Sequence, residues 1–506
     1  MWQKFSFYDF RVIAHYLGVL MMFLAAAECV PFVVAVVLGE WQPASHYLFG
    51  IGVAIIVGSL LRLILPSPGK LTPKQALAVT GFAWLALALL GSIPLYMSGH
   101  YGSMLDAVFE GMSAWTTTGC SLVQDIDHMS IADNTWRFTM QCIGGQGVVV
   151  IALSLGLFGR AVDSSLYSSE GRSEHVIPNI MQTARFIVRF SMATIVIGTI
   201  LTTAACLFIG MAPVRAFFNG LWLAVASFNT GGMTSMSTGI IYYHCAPLEI
   251  VIMVLILLGS INFTLHIEVW KGHIEHFFRD IEIRTLFVWL SVILVAFVAT
   301  LCTAKVYDDL PTLLRRAVFT VVSAFSSTGF QTISVNQMTT VISSGALLII
   351  IFCMAVGGSA GSTTGGIKVL RIGVLVKELV AYIKDLLAPA SARQVVMYYH
   401  VGRRPLSHDL VRANLVVLLL YGVAFLITTI VTVTFGYAAA PSMFESVSMV
   451  SNIGMSCGIT QPGMPDPLKV LYIVDMWAGR LEYVTLIALL VSIIASIRPK
   501  RRVRAR

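Results

Sequence analysis

The chain has 506 residues, of which 57% are hydrophobic and only 11% charged, with a formal net charge of +8. An average soluble domain carries roughly 25% charged residues, so this composition excludes a soluble protein with a large core and describes an all-α integral membrane protein. The basic excess falls in short clusters between apolar stretches, which is a topology signal and an attraction to anionic lipid, with no case for nucleic-acid binding.

In chain order, the first two spans are predicted over residues 12–38 and 45–65, joined by a Gly-Glu-Trp-Gln-Pro turn. Lys4 and Arg11 flank an apolar run too long for the core of a cleavable leader, so the first span is expected to be retained. Pro66, Pro68 and Gly69 then break the chain and close an N-terminal two-span unit over 1–68.

Beyond it one design recurs four times: a full span, a half-length apolar segment ending in polar residues and a glycine, and a second full span. In 69–170 the spans cover 73–97 and 137–159, and the short segment ends Ser113-Ala114-Trp115-Thr116-Thr117-Thr118-Gly119-Cys120. In 171–280 they cover 185–211 and 247–270, around Phe228-Asn229-Thr230-Gly231-Gly232. In 281–372 they cover 284–304 and 343–370, and Ala317-Val318-Phe319 precedes Gly329 at the spacing of Ala107-Val108-Phe109 before Gly119. Residues 373–506 hold a cytoplasmic linker, spans 410–437 and 467–497, and a basic tail; Phe444-Glu445 stands before Gly454 as Phe109-Glu110 stands before Gly119. The fold expected is ten transmembrane helices plus four re-entrant half-helices, arranged with fourfold pseudosymmetry around one pore.

A helix needs about 20 apolar residues to cross a bilayer, so segments of half that length enter and leave on one side. Irregular backbone at membrane depth is tolerated only where protein buries it or it lines a water-filled cavity. A loop that turns its carbonyls to an axis replaces the hydration shell of a monovalent cation. Glycine accepts the backbone angles such a loop needs, and the preceding helix aims its partly negative C-terminus at the ion.

The basic residues Arg62, Lys70 and Lys74, then Arg160, Arg172, Arg185 and Arg189, then Lys271, Arg279 and Arg284, then Lys368 through Arg412, and the tail, all fall on one side when ten spans are counted. The positive-inside rule makes that side cytoplasmic, with both termini there and the loops opening outward. Asp125, Asp127, Asp133, Asp308, Asp309 and Asp466 collect on the outer side, diluted by Arg215, Lys305, Arg315 and Arg316.

The second spans differ, and gating chemistry is expected there. The third is interrupted by Gly357-Gly358-Ser359-Ala360-Gly361-Ser362-Thr363-Thr364-Gly365-Gly366, followed by Ile367-Lys368. Five glycines in ten residues cannot make an ordinary helix, since each costs about 1 kcal/mol relative to alanine; the run reads as a loop that obstructs or opens the path. In the fourth, Arg480 and Glu482 lie inside the last span, and an intramembrane charge is a functional candidate by default. A fixed positive charge under a cation filter raises the barrier to ions leaving it; the alternative is a structural pair of Arg480 with Glu482 or Asp475. Gly144-Gly145-Gln146-Gly147 and Asn262-Phe263-Thr264-Leu265-His266 occupy the corresponding places, with His266 read as a satisfied polar residue. The eight cysteines show no CxxC spacing and read as small core residues, with Cys120, Cys245 and Cys457 placed within reach of the outer solution.

With these motifs assembled, the chain resembles the Trk/Ktr/HKT superfamily of potassium transporters, nearest its TrkH/TrkG-type membrane subunits, over essentially its whole length. The resemblance rests on the two-span N-terminal unit, the four repeats, Gly-Gly-x-Gly, Asn-Phe-x-x-His, Gly-Ser-Thr-x-Gly-Gly-Ile-Lys and Gly-Arg-Leu-Glu. It implies one filter glycine per repeat, at Gly119, Gly232, Gly329 and Gly454, with Gly231 a rival in the second. The potassium-binding carbonyls it implies come from Thr117, Thr118 and Gly119; Thr230, Gly231 and Gly232; Ser327, Thr328 and Gly329; and Asn452, Ile453 and Gly454. Members that pass sodium commonly carry serine at the first glycine position, so Gly119 argues for potassium, with modest selectivity. The resemblance further implies a gate made by Gly357, Gly358, Gly361, Ser362, Thr363, Gly365, Gly366 and Lys368 with Arg480, a homodimer, and a cytoplasmic TrkA-type nucleotide-binding regulatory subunit. No Walker A or Gly-x-Gly-x-x-Gly motif is present, so nucleotide control would come from that partner.

The function expected is potassium uptake across the plasma membrane. A symporter coupling potassium to protons or sodium is the first alternative, because discontinuous helices and midplane charges suit it too. An intramembrane enzyme is the remote one. The sequence has no His-Glu-x-x-His, Gly-x-Ser-x-Gly or paired intramembrane aspartates, so no catalytic and no cofactor-binding residue is expected beyond the potassium ligands.

Overall fold

Helix boundaries follow local chemistry. Ser6 and Asp9 form a capping box that opens the 32-residue helix Phe7–Leu38, and Gly39 closes it in the left-handed conformation. Thr72 and Gln75 do the same for Pro73–Gly91. The short helices start as deliberately: Ser103 caps Met104–Trp115 by accepting from the Asp106 amide, Asp309 caps Leu310–Phe325 from the Thr312 amide, and Pro213 occupies the first turn of Pro213–Phe228. The fourth short helix is Ala439–Val450.

The computed structural model describes residues 4–65, 71–147, 180–387 and 395–497. It is mostly helical, with two small two-stranded sheets among the described residues. Six of its helices are long and apolar enough to cross a membrane: Phe7–Leu38, Trp41–Leu63, Pro73–Met97, Thr183–Phe208, Ile281–Thr303 and His408–Thr434. The expected first-span positions therefore hold to within a few residues.

The second spans depart from the expectation. Ala246–Ser260 and Phe263–Trp270 meet at 97°, and Asp466–Arg480 and Val484–Ser496 meet at 106°, where continuous spans were predicted over 247–270 and 467–497. The causes are local. Ile261 is extended and Asn262 caps the next helix, its side chain accepting from the Thr264 amide; Glu482 and Tyr483 are both left-handed, at φ 59° and 53°. In the third segment the helix stops at Ala355 and the glycine-rich run folds as a loop, closed by a parallel pairing of Val356–Gly357 with Ile367–Lys368. In the first, Ile131–Gln146 ends at Gly147 (φ 88°), and the predicted remainder to 159 lies outside the described residues, as do Lys70, Arg160, Arg172, Arg393 and the basic tail.

Packing is polar at the centre and apolar at the rim. Ile281–Thr303 and His408–Thr434 expose Val288, Val295, Leu419 and Leu426, a face suited to lipid. Thr116, Thr117, Thr118, Asn229, Thr230, Ser326, Ser327, Thr328, Ser451 and Asn452 are buried almost completely. Three second spans seat under the ends of the short helices through a glycine: a Cβ on Gly144, Gly259 or Gly479 would lie 1.8, 1.9 or 2.3 Å from the carbonyl oxygen of Trp115, Phe228 or Val450.

Candidate functional site

All four short helices end in the same hydrogen-bond pattern. The amides of Thr117, Thr230, Ser327 and Asn452 donate to the carbonyls of Ala114, Ser227, Ala324 and Met449. The next amides, of Thr118, Gly231, Thr328 and Ile453, donate to Ser113, Ala226, Ser323 and Ser448. This is a Schellman ending, in which the left-handed residue is ordinarily glycine. Here it is Thr117, Thr230, Ser327 or Asn452, at φ 49–58°. A β-branched residue in that region is strained by roughly 1–3 kcal/mol and persists only where its surroundings enforce it. Two residues on, Gly119, Gly232, Gly329 and Gly454 take φ of 93°, 65°, 86° and 83°. Gly231 does not share that conformation, so Gly232 is the residue equivalent to the other three.

The four loops close on one another in sequence order. A Cβ on Gly119 would meet the Gly231 carbonyl oxygen at 2.2 Å, one on Gly232 the Thr328 oxygen at 1.8 Å, one on Gly329 the Ile453 oxygen at 1.8 Å, and one on Gly454 the Thr118 oxygen at 1.9 Å. Each glycine thus leaves the space into which the next loop's carbonyl fits, and the ring closes because the fourth loop meets the first. On one side of the ring Gly119, Gly232, Gly329 and Gly454 border a cavity of ≈ 450 Å³ with Thr234, Gln331 and Asn336.

Side chains clamp the ring. The Glu110 carboxylate accepts from the Leu122 amide (3.0 Å) and from Arg137 Nε (2.8 Å), with both side chains fully buried. Glu445 does the equivalent work in the fourth loop, accepting from the amides of Cys457 and Ile459 and from the hydroxyls of Ser456 and Thr460. Gln141 donates to the Gly231 carbonyl at 2.5 Å, Asn452 to Thr118 Oγ1 at 3.0 Å, and Gln331 pairs with the backbone of Ser456. Sequence reasoning noted Glu110 and Glu445 only as matching repeats; two acids at one spacing before the glycine was the signal that each holds its loop. Arg137→Leu leaves the Glu110 carboxylate buried without its cation, a loss of about 3–5 kcal/mol. The melting temperature in detergent is expected to fall sharply, and Glu110→Gln in the same chain to recover part of it.

Beneath the ring lies the glycine-rich loop. Thr363 donates through its amide and its hydroxyl to the Gly259 carbonyl (3.2 and 2.9 Å), and its hydroxyl lies 2.9 Å from that of Thr230. A Cβ on Gly365 would lie 2.3 Å from the Ser451 carbonyl oxygen, and one on Gly357 2.0 Å from that of Gly365. Ser362 donates to Ser359 O at 2.6 Å, Lys368 Nζ donates to Thr364 O, and Gly358 O accepts from the Val369 amide. Gly361 and Gly366 are left-handed, at φ 66° and 70°. The loop is therefore wedged against the second and fourth of the ring's segments, not hanging free.

Arg480 spans this underside. Its guanidinium donates to Thr363 O (2.9 Å) and Gly144 O (2.6 Å), and stacks 5.6 Å from the Trp84 ring centre. Both acids considered as partners for Arg480 are engaged elsewhere: Glu482 pairs with Arg371, and Asp475 accepts from Thr428 at 2.7 Å. With Gly361, Ser362, Thr364, Gly365, Gly366, Lys368, Leu481 and Glu482 it encloses only ≈ 40 Å³. Of three smaller expectations, two change and one holds. Cys120, Cys245 and Cys457 are buried, and Asp133 is buried too, accepting from Tyr47 and Ser130. His266 is satisfied, its Nε2 2.9 Å from Leu258 O and its ring stacked on Phe190.

Comparison with known proteins gives one answer. Residues 47–497 match the family model for TrkH, a cation transport protein. The chain is 32% identical to an uncharacterized cation transporter of Methanocaldococcus jannaschii over 95% of both chains. It is 27% identical to the Trk system potassium uptake protein TrkH of Halomonas elongata, over 95% of this chain and 98% of that one. The crystal structure of the potassium transporter TrkH from Vibrio parahaemolyticus superposes with a TM-score of 0.79 over 95% and 98% of the two chains, at 23% identity, which shows the fold. The ring of four glycine loops, the loop beneath it and these matches agree: this chain belongs to the TrkH family of cation transport proteins.

Proposed function

We propose that the chain takes up potassium across the plasma membrane through a filter of backbone carbonyls at 117–119, 230–232, 327–329 and 452–454. The observation that carries this reading is the ring itself, in which four repeated loops each fit a carbonyl against the next loop's glycine. A monovalent cation stripped of water needs several oxygens at once, and four loops around one axis supply them. The roomy cavity on one side is the outer vestibule, and the constriction at Arg480 and the glycine-rich loop is a closed gate. In this reading the division into a two-span unit and four repeats, ten crossings in all, has both termini and the basic clusters in the cytoplasm. The chain works as a homodimer in lipid, and a TrkA-type nucleotide-binding subunit docks on the basic inner loops, consistent with the Trk-system names of its relatives.

The test is uptake of potassium or rubidium into liposomes holding the purified chain, with sodium and N-methylglucamine as comparison cations. Preference for potassium and rubidium over sodium is the expected result. Equal sodium flux would overturn the selectivity, and reversal potentials that depend on protons or sodium would favour the symporter.

A further inference from the structure

The second segment's broken span ends in a cluster that ion conduction does not use. Phe263–Trp270 is followed by a Lys271–Gly272 turn and the short helix Ile274–Arg279. The turn, with Gly272 at φ 92°, folds the second helix back so that His273 and His276 face Glu268. Glu268 Oε2 lies 3.3 Å from His273 Nδ1 and 3.0 Å from His276 Nδ1, and the three ligand atoms lie within 4.8 Å of one another. The two imidazoles stack with centroids 5.1 Å apart. Lys271 Nζ holds the other oxygen, Oε1, at 3.2 Å and so fixes the carboxylate with Oε2 toward the histidines.

We propose that Glu268, His273 and His276 bind a divalent transition metal of the zinc class, with a fourth position open to water. Zinc takes imidazole nitrogen and carboxylate oxygen at about 2.0–2.2 Å in tetrahedral geometry, which places neighbouring ligand atoms about 3.3 Å apart. The two separations from Glu268 Oε2 are already of that size, and all three ligand atoms lie within 4.8 Å of one another, so the site needs only a modest closing of the histidines on the metal. Two imidazoles favour zinc over magnesium or calcium, which prefer oxygen ligands. Lys271 is the outer partner that orients the ligating carboxylate. Glu268 is nearly buried while His273 is half exposed, which gives the ion an anchored ligand and a route in. A second cluster, Asp280, Glu282 and His400, is a poorer candidate: the Asp280 oxygens already accept from the amides of Glu282 and Val401 and face His400 Nδ1. The proposed site lies at the far end of a helix whose first amide donates to Gly361 O in the glycine-rich loop (3.4 Å).

The experiment is titration of the tag-free, full-length protein in detergent with Zn²⁺ against a chromogenic chelator, and with Co²⁺ followed by its visible absorption. One Zn²⁺ per chain and an intense, tetrahedral-type Co²⁺ spectrum are expected. His273→Gln with His276→Gln is expected to weaken binding by more than the roughly 10–100-fold that loss of an outer-shell partner costs. His128→Ala, on the outer loop, should leave binding unchanged. Because His273 is half exposed, His273→Gln alone keeps the fold and checks the double variant against misfolding; it too should bind more weakly. Absence of stoichiometric Zn²⁺, a pale octahedral Co²⁺ spectrum, or equal binding in the double variant would overturn the site.

Discussion

Gly119→Ser will collapse the preference for potassium over sodium while leaving a conducting pore. The added Cβ lies 2.2 Å from the Gly231 carbonyl oxygen, a separation that real atoms do not sustain, so that carbonyl or the loop bearing it must move. The residue also sits at φ 93°, where any side chain is strained. In the proposed filter a shifted carbonyl changes the ion's coordination in one of four loops, and each 1.4 kcal/mol lost from the difference between two ions is a tenfold loss of discrimination. A fall of about tenfold in the rubidium-to-sodium flux ratio is expected in liposomes, with total flux retained. An unchanged ratio would remove Gly119 from the filter.

Arg480→Ala should have the opposite kind of effect, on flux and not on choice of ion. Arg480 links the fourth segment to Thr363 in the loop and to Gly144 in the first segment, and a hydrogen bond from a charged donor is worth about 1.5–3 kcal/mol. If these bonds hold the proposed gate closed, losing both shifts its closed-to-open balance by at least about 3 kcal/mol, roughly two powers of ten. Removing the positive charge lowers the barrier to cations in the same place. Basal rubidium uptake without any regulatory partner is therefore expected to rise by about a hundredfold, with the rubidium-to-sodium ratio unchanged. Arg480→Lys keeps the charge but cannot reach two carbonyls with a planar fork, so it should fall between. If alanine leaves uptake at the wild-type level, Arg480 is a structural brace and the gate lies elsewhere.

The sequence by itself determined the membrane class and marked four half-length segments, each ending at a glycine, because a bilayer permits few lengths and apolar patterns and half-length segments stand out against them. Arg480 and the run Gly357–Gly366 were legible for the same reason: charge and dense glycine have no inexpensive place in a span. Three things were decided only by tertiary structure. Continuous apolarity over 247–270 and 467–497 hid the bends near Ile261 and Glu482, since local hydropathy does not register a change of direction. Arg480 was read as a charge beneath the four loops, with an acid pair as the alternative; that it is held by the backbone carbonyls of Thr363 and Gly144 leaves no mark in sequence. The clamps Glu110–Arg137 and Glu445 likewise depend on which amide of a distant loop each carboxylate meets. Periodicity and composition record what one residue needs from its solvent; which two groups share a hydrogen bond is set by how four loops pack into a ring, and only the folded chain brings them together.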